Sequence, residues 1–145
     1  MPGIVVGVDG STGSQRALDW AVREAAVRHA PLTVLSIHEV MRSQWTGNPV
    51  VVAADKPEIE RVRQAVEELT LKATSLLGDD KPASVTVRAV NGFIAEELIS
   101  ASRDADLVVV GSRGAGGFAT LLLGSVTSQV VHHAECPVVV IPSQR

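Results

Sequence analysis

The sequence predicts one α/β domain built on a doubly wound, five-stranded parallel sheet with helices on both faces. Strand-like and helix-like segments alternate along the chain, which is the pattern of parallel strands joined by helical crossovers. The length of 145 residues is close to the commonest domain size, so we expect a single domain over 1–145. Hydrophobic residues make up 46% of the chain and aromatic residues only 3%, which favours a buried sheet packed by aliphatic side chains.

The first two elements are a buried strand and an amphipathic helix. Ile4 to Val8 is an apolar run, and Asp9-Gly10-Ser11 follows it as a turn. Ser14 to Ala30 is rich in alanine and carries its larger apolar residues on one side. This segment therefore predicts a helix, which we expect Pro31 to end.

A second strand and an irregular segment come next. Leu32 to His38 predicts the strand. Residues 41–56 show no clear period and include Trp45, Gly47 and Pro49, so we expect a loop there. Within that loop, Val50 to Val52 indicates a short regular turn whose type the pattern does not define.

The clearest helix begins at Pro57, a residue that is favourable at the first helical position. Its apolar residues recur at steps of three and four, from Ile59 to Leu76. The segment Gly78 to Pro82 ends it, and Val85 to Val90 then alternates apolar and polar residues. That alternation predicts a strand nearer an edge of the sheet than its centre.

The last four elements complete the alternation. A third helix is marked by Ile94, Ala95, Leu98 and Ile99, and a fourth by Leu122, Val126, Val130 and His133. Asp106 to Val110 precedes the fourth helix as an apolar strand, and Pro137 to Ile141 is the final strand.

Composition and charge exclude several classes of function. The formal net charge is -3 and no run of Lys or Arg stands out, which argues against nucleic-acid binding. The apolar runs fall short of the roughly 20 residues of a membrane span, and the N-terminus lacks the pattern of a signal peptide. The single Cys136 fits a reducing compartment. We therefore expect a cytoplasmic protein without a membrane span.

The most informative stretch is the glycine-rich segment from Gly111 to Ser125, which lies between the fourth predicted strand and the fourth helix. Ligands of open α/β sheets bind beyond the carboxyl ends of strands where the winding reverses. In a sheet of order 3-2-1-4-5, Asp9 and Gly111 flank that reversal. Exposed backbone N–H groups and the positive end of the following helix would make an anion site there, with phosphate as the expected anion. The alternative is a merely flexible connection.

Two familiar phosphate motifs do not explain this segment. The pattern G-x-x-x-x-G-K-[ST] is absent from the sequence. Gly114 to Ala119 formally matches the dinucleotide pattern G-x-G-x-x-A, but no strand-end acid about twenty residues later is available for a ribose. We treat this second match as accidental.

The spacing Gly111-x2-Gly114-x9-Gly124-Ser125 resembles that of the universal stress protein family, in its ATP-binding branch. Val8-Asp9-Gly10-Ser11 after the first strand and Cys136-Pro137-Val138-Val139-Val140 at the last strand extend the resemblance over essentially the whole chain. The resemblance implies an adenine nucleotide alpha hydrolase-like fold. It also implies an ATP-binding stress-response regulator that forms a homodimer through the last strand, over Val138, Val139, Val140 and Ile141.

The same resemblance implies roles for single residues. Asp9 would approach the ribose hydroxyls or a phosphate-bound Mg²⁺, Ile37 would line the adenine slot, and Val110 and Gly111 would border the ribose. The phosphates would be held by Gly114, Gly124, Ser125 and Val126. Arg113 is the only cation in the segment, and it would either neutralise a terminal phosphate or point to solvent.

Structural roles compete with several of these assignments. Asp9 and Ser125 are residue types that cap helices, and Ile37 could be ordinary core. Adjacent His132 and His133 cannot share a helix face, so we expect one surface residue and one packing residue and no metal pair.

Other residues outside the glycine segment are interpreted in structural terms. We expect Cys136 to pack and not to react. Trp45 is interpreted as a surface aromatic, with shelter for the nucleotide as the alternative. Phe93, in Asn91-Gly92-Phe93, departs from the small residue or proline frequent in the family, and would narrow the entrance or pack against the third helix.

Three classes of function remain from the sequence. We expect nucleotide binding with little or no hydrolysis, because Asp9 is the one carboxylate in the motif and no Glu, Gln or His there orients water. The first alternative is a dimeric interaction module whose apolar last strand pairs at the sheet edge, independently of nucleotide. The second is a binder of AMP or cyclic AMP.

Overall fold

The computed structural model describes residues 3–9, 12–39, 41–45, 48–112 and 124–142. Over these residues the chain forms seven strands and four helices. In chain order they are β1 (Ile4–Val8), α1 (Thr12–Arg28), β2 (Pro31–Glu39), β3 (Met41–Trp45), β4 (Asn48–Val52), α2 (Lys56–Ser75), β5 (Ser84–Gly92), α3 (Ile94–Ser102), β6 (Leu107–Gly111), α4 (Ser125–His133) and β7 (Val138–Ile141).

The main sheet has five parallel strands in the order β5-β2-β1-β6-β7. Counted along the chain without β3 and β4, this is the order 3-2-1-4-5, so the predicted topology is confirmed. β5 lies at one edge of the sheet, as its alternating sequence predicts, and pairs with β2 over its full length from Ser84 to Gly92.

Each face of the sheet carries its own apolar core, because alternate strand residues point to opposite faces. On β1, Ile4, Val6 and Val8 pack with α1 and α2, whereas Val5 packs with α3 and α4 on the other face. The first core contains the alanine-rich side of α1, and the second contains Leu98 of α3 and Val130 of α4. The helices therefore cover both faces, as expected.

The segment 41–56 differs from the predicted loop. β3 and β4 pair antiparallel and form a separate two-stranded sheet, with Met41 opposite Val52 and Trp45 opposite Asn48. The Val50–Val52 segment, expected to be an undefined turn, belongs to β4. Antiparallel pairing depends on the partner strand more than on local periodicity, which is why the pattern in 41–56 did not reveal it.

The end of α1 also has a different cause from the one predicted. The helix ends at Arg28, before Pro31, and His29 adopts a left-handed backbone with φ 53. The N–H of His29 donates to the carbonyl of Ala26 at 3.2 Å, and that of Ala30 donates to Ala25 at 2.9 Å. This is a Schellman ending with histidine in the place that glycine usually takes.

The start of α2 is set by a side-chain cap. Asp55 is the N-cap residue, and its carboxylate accepts the N–H of Glu58 at 2.9 Å. The helix begins at Lys56, one residue earlier than predicted, so Pro57 is its second residue and lies in the first turn. Across the described part of the chain, no helix combines the length and apolar character needed to cross a membrane.

Candidate functional site

The winding of the sheet reverses between β1 and β6, which lie side by side at its centre. From β1 the chain passes through α1 to β2 on one side, and from β6 it passes through α4 to β7 on the other. Parallel strands end at the same edge, so Asp9 and Gly111 both lie at the carboxyl edge beside this reversal. This crevice is the position at which open α/β sheets bind ligands.

The two ends of the glycine-rich segment meet at this edge. The N–H of Gly124 donates to the carbonyl of Ser112 at 2.8 Å, and the N–H of Ser112 donates to the carbonyl of Ile141 at 2.9 Å. Ser112 is buried, with 8% of its surface exposed. The chain therefore leaves the sheet at Ser112 and returns to the same place at Gly124, whatever path it takes between them.

The N-terminus of α4 lies at this edge of the sheet, because its first turn is hydrogen-bonded to the end of β6. Gly124 caps the helix with an extended backbone, φ -68 and ψ 161, and Ser125 is exposed. The N–H groups of the first turn have no acceptor within the helix, and the helix dipole places partial positive charge there. These features suit an anion.

A buried threonine fixes this helix end to the strand. The hydroxyl of Thr127 donates to the carbonyl of Gly111 at 2.7 Å, and Thr127 is only 4% exposed. With the bond from Gly124 to Ser112, it joins the last residues of β6 to the first turn of α4. These two bonds fix the first turn of α4 relative to the end of β6.

Asp9 is exposed at the end of β1, and its main chain is anchored. Its N–H donates to the hydroxyl oxygen of Ser14 at 3.2 Å, and Ser14 is buried in the first turns of α1. The proposed competing role, a cap on α1, involves Ser11 as well, and Ser11 lies outside the described residues.

The apolar residues predicted for the base and ribose belong to the second core. Ile37 is 9% exposed and Val110 is 5% exposed, and both pack in the cluster that also contacts Val126. The side chain of Ile37 therefore packs in the core, and its place beside the adenine stays a prediction. What these residues can present to a ligand is chiefly backbone at the strand ends.

The structure brings most of the predicted site residues to one edge. Asp9, Ile37, Val110, Gly111, Gly124, Ser125 and Val126 all lie at or next to the carboxyl ends of the strands. Arg113 and Gly114 lie outside the described residues.

Sequence reasoning missed three polar residues that organise this edge. They are Ser14, which accepts the Asp9 N–H, Ser112, which joins the segment ends, and Thr127, which bonds Gly111. Thr127 lies two positions after Ser125, among the apolar residues of the predicted fourth helix. A polar residue in that position could have indicated a buried hydrogen bond.

Two other predictions concern the last helix and the cysteine. His132 and His133 are both exposed, so the expectation that one of them packs in the core was wrong. Cys136 is partly buried against the second core, and burial raises the pKa of its thiol. That environment agrees with the predicted packing role.

Fold and site together define a doubly wound α/β domain with an anchored helix N-terminus at its switch point. The chain belongs to the universal stress protein family, whose family model matches residues 2–142. It is 35% identical over 139 residues to a universal stress protein of Mycolicibacterium smegmatis, covering 96% of this chain and 47% of that protein. It is 37% identical over 141 residues to universal stress protein Rv2005c of Mycobacterium tuberculosis, covering 97% and 48%. The chain thus spans about half the length of the curated relatives it matches.

Solved structures share the fold. The universal stress protein UspA from Lactobacillus plantarum superposes with a TM-score of 0.72 at 23% identity, over 97% of each chain. A universal stress protein in complex with cAMP gives a TM-score of 0.68 at 26% identity, over 99% of this chain and 98% of that one. A third, from Archaeoglobus fulgidus in complex with dAMP, gives 0.60 at 21% identity, over 97% and 98%.

Proposed function

We propose that this protein binds an adenine nucleotide, ATP in the first place, at the carboxyl edge of the sheet. The observation that carries the proposal is the anchored N-terminus of α4. Thr127 and Gly124 tie its first turn to the end of β6, and Asp9 lies across the same reversal. A prearranged set of N–H donors beside a carboxylate suits a ligand that carries both phosphates and sugar hydroxyls.

In this proposal each part of the nucleotide meets a different part of the edge. The phosphates lie against Gly124, Ser125 and Val126, together with Gly114 and Arg113 from the glycine-rich segment. Asp9 accepts from the ribose hydroxyls or contributes to a Mg²⁺ held on the phosphates, since Mg²⁺ commonly combines one carboxylate with substrate phosphates.

The base and the ribose would lie over the strand ends. Ile37, Val110 and Gly111 border them through their main chain, because the side chains of Ile37 and Val110 are committed to the core. Main-chain N–H and C=O groups can recognise the edge of an adenine without a dedicated polar side chain.

Related structures support an adenine nucleotide and also supply the second candidate ligand. Two of the structures that share this fold contain cAMP and dAMP, each with a single phosphate. AMP or cyclic AMP is therefore the alternative to ATP. Affinity measurements distinguish ATP from AMP and cyclic AMP as the ligand. If ATP is the ligand, affinity should rise with the number of phosphates, because the N-terminus of α4 stabilises negative charge.

We propose a regulator with little or no hydrolysis. Hydrolysis of ATP needs an oriented water and charge stabilisation on the leaving oxygens, which the motif provides at most through Asp9 and Arg113. The expected turnover is far below the order of 1 per second at the low end of ordinary enzymes. Multiple turnover with magnesium at that rate, abolished in Asp9→Ala, would contradict this part.

The proposed output, in the cytoplasm, is a change of conformation or of dimerisation through β7. β7 is an edge strand, and the carbonyls of Pro137 and Ile141 accept from Val108 and Ser112 of β6. Alternate residues of a strand direct their main chain to opposite sides, so Val138 and Val140 present theirs to the open edge. A second copy could pair there, and pairing independent of nucleotide is the competing function.

The deciding experiment is isothermal titration with ATP, with and without Mg²⁺, on protein freed of co-purified nucleotide. We expect saturable binding that Asp9→Ala and Gly114→Val weaken strongly. Asp79→Ala removes a carboxylate from the turn before β5, at the opposite edge, and should leave binding unchanged. Absence of binding to ATP, AMP and cyclic AMP would overturn the proposal in favour of the interaction module.

A further inference from the structure

Asn91 joins two parts of the chain that are far apart in sequence. Its side-chain oxygen Oδ1 accepts the N–H of Ala54 at 2.9 Å, and its Nδ2 donates to the carbonyl of Ala54 at 2.9 Å. Both polar ends of one amide thus bond both polar groups of one residue, as a neighbouring strand would. We call this pair of hydrogen bonds the Asn91–Ala54 clasp.

The clasp holds the end of the β3–β4 hairpin against the main sheet. The hairpin begins just after Glu39, the last residue of β2, and the chain leaves it through Ala53 and Ala54 before Asp55 caps α2. Asn91 lies near the carboxyl end of β5, opposite His38 of β2. Both stems of the hairpin are therefore fixed at the carboxyl edge, one by covalent continuity and the other by Asn91.

The hairpin otherwise pairs with itself in the described sheets, since β3 and β4 form a two-stranded sheet separate from the five-stranded one. Asn91 is half-buried and its bonds to Ala54 are partly shielded from water. Shielded hydrogen bonds are more costly to lose than exposed ones. The side chain of Asn91 therefore helps to fix the position of the whole β3–β4 hairpin.

We propose that Asn91 is a positioning residue that sets the β3–β4 hairpin beside the nucleotide site at the β2 end. β2 continues for two residues beyond Ile37, to Glu39, and the hairpin begins at Met41, four residues after Ile37. Ile37 borders the adenine in the proposed function, on which this inference rests. Release of the hairpin lowers nucleotide affinity without removing any residue that contacts the nucleotide.

The variants separate hydrogen bonding from shape. Asn91→Ala removes both bonds. Asn91→Asp keeps the shape but turns the donor into a second oxygen facing the Ala54 carbonyl, so it should behave like Asn91→Ala. A residue that only fills space would tolerate Asn91→Asp. Thr86→Ala, an exposed position on β5 outside the clasp, is the matched control for general weakening of the edge strand.

Two readouts follow the hairpin directly, without nucleotide. One is tryptic cleavage of the Arg42–Ser43 bond on β3, quantified by mass spectrometry. The other is the fluorescence anisotropy of Trp45 in a Trp20→Phe background, where it is the single tryptophan. We expect faster cleavage and lower anisotropy in both Asn91 variants, with Thr86→Ala like the parent.

Titration with ATP on the same proteins completes the test. Loss of two hydrogen bonds predicts affinity weaker by roughly tenfold in the Asn91 variants. Unchanged cleavage and anisotropy in these variants would refute the clasp, and a released hairpin with parental ATP affinity would refute the positioning role. Failure of the parent to bind any adenine nucleotide, in contrast, would overturn the proposed function itself and the positioning role with it.

Discussion

The hydroxyl of Thr127 in α4 donates to the carbonyl of Gly111, the last residue of β6, at 2.7 Å. The donor is buried and its acceptor belongs to the glycine motif that the sequence singled out. This bond and the neighbouring one from Gly124 to Ser112 close the glycine-rich segment at its base. The candidate anion site therefore depends on a residue outside the motif.

Thr127→Val tests that dependence. The substitution keeps the shape of the side chain but leaves a shielded carbonyl without its donor, so we expect destabilisation of about 1–3 kcal/mol in urea unfolding. ATP affinity should fall as well, because the first turn of α4 loses one of its ties. Thr127→Ser retains the hydroxyl and should restore most of the nucleotide affinity. Equal ATP binding by the valine and serine variants would argue against a role in arranging the site.

The α2 cap provides a second prediction. Asp55 accepts the N–H of Glu58 with its carboxylate at 2.9 Å, and Asp55→Ala removes that acceptor. The expected loss is about 0.5–2 kcal/mol of unfolding free energy, measured by urea titration, with Asp55→Ser close to the parent. Asp80→Ala, an exposed acid in the turn after α2, serves as control. A loss of the same size in the control would assign the effect to charge and not to capping.

Proline substitutions distinguish the two sides of β7. Val139 lies between Pro137 and Ile141, whose carbonyls bond β6, so its N–H also faces β6, whereas that of Val140 faces the open edge. Val140→Pro should leave a folded monomer, because proline is tolerated where a strand N–H faces outward. Val139→Pro should unfold the protein. Sedimentation velocity and circular dichroism measure both effects, and a dimer that survives in Val140→Pro would disprove pairing through this strand.

Cys136 gives a prediction that depends on pH. Burial is the main cause that raises its thiol pKa, and the nearby Asp106 carboxylate adds to it. Reaction with iodoacetamide requires the thiolate, so the folded protein should reach its half-maximal rate at a higher pH than the unfolded chain.

The same shift fixes the sign of its effect on stability. The pKa of the Cys136 thiol is higher in the folded protein than in the unfolded chain. Its contribution to the free energy of unfolding is therefore fully present below the pKa of the unfolded chain, and it is lost as pH rises through the pKa of the folded protein. As Cys136 is the single cysteine, the rate profile needs no other variant. Coincident profiles for folded and urea-unfolded protein would contradict the raised pKa.

The sequence by itself determined the alternating α/β order, the topology of the five-stranded sheet and the edge at which the site residues collect. The strand order was expected from the resemblance to the universal stress protein family. The alternation follows from apolar periodicity, and the shared edge follows from the rule that parallel strands end together. Asp9 and Gly111 could be placed at one edge for this reason.

Only the tertiary structure decided the features that depend on contacts between distant segments. The β3–β4 hairpin exists because two weakly patterned strands pair with each other, and Asn91 reaches Ala54 across the sheet edge. The left-handed backbone of His29 likewise ends α1, whereas the sequence indicated that Pro31 would end it. Hydrogen bonds between main chain and remote side chains leave little trace in local periodicity, because their geometry is set by the packing that brings the partners together.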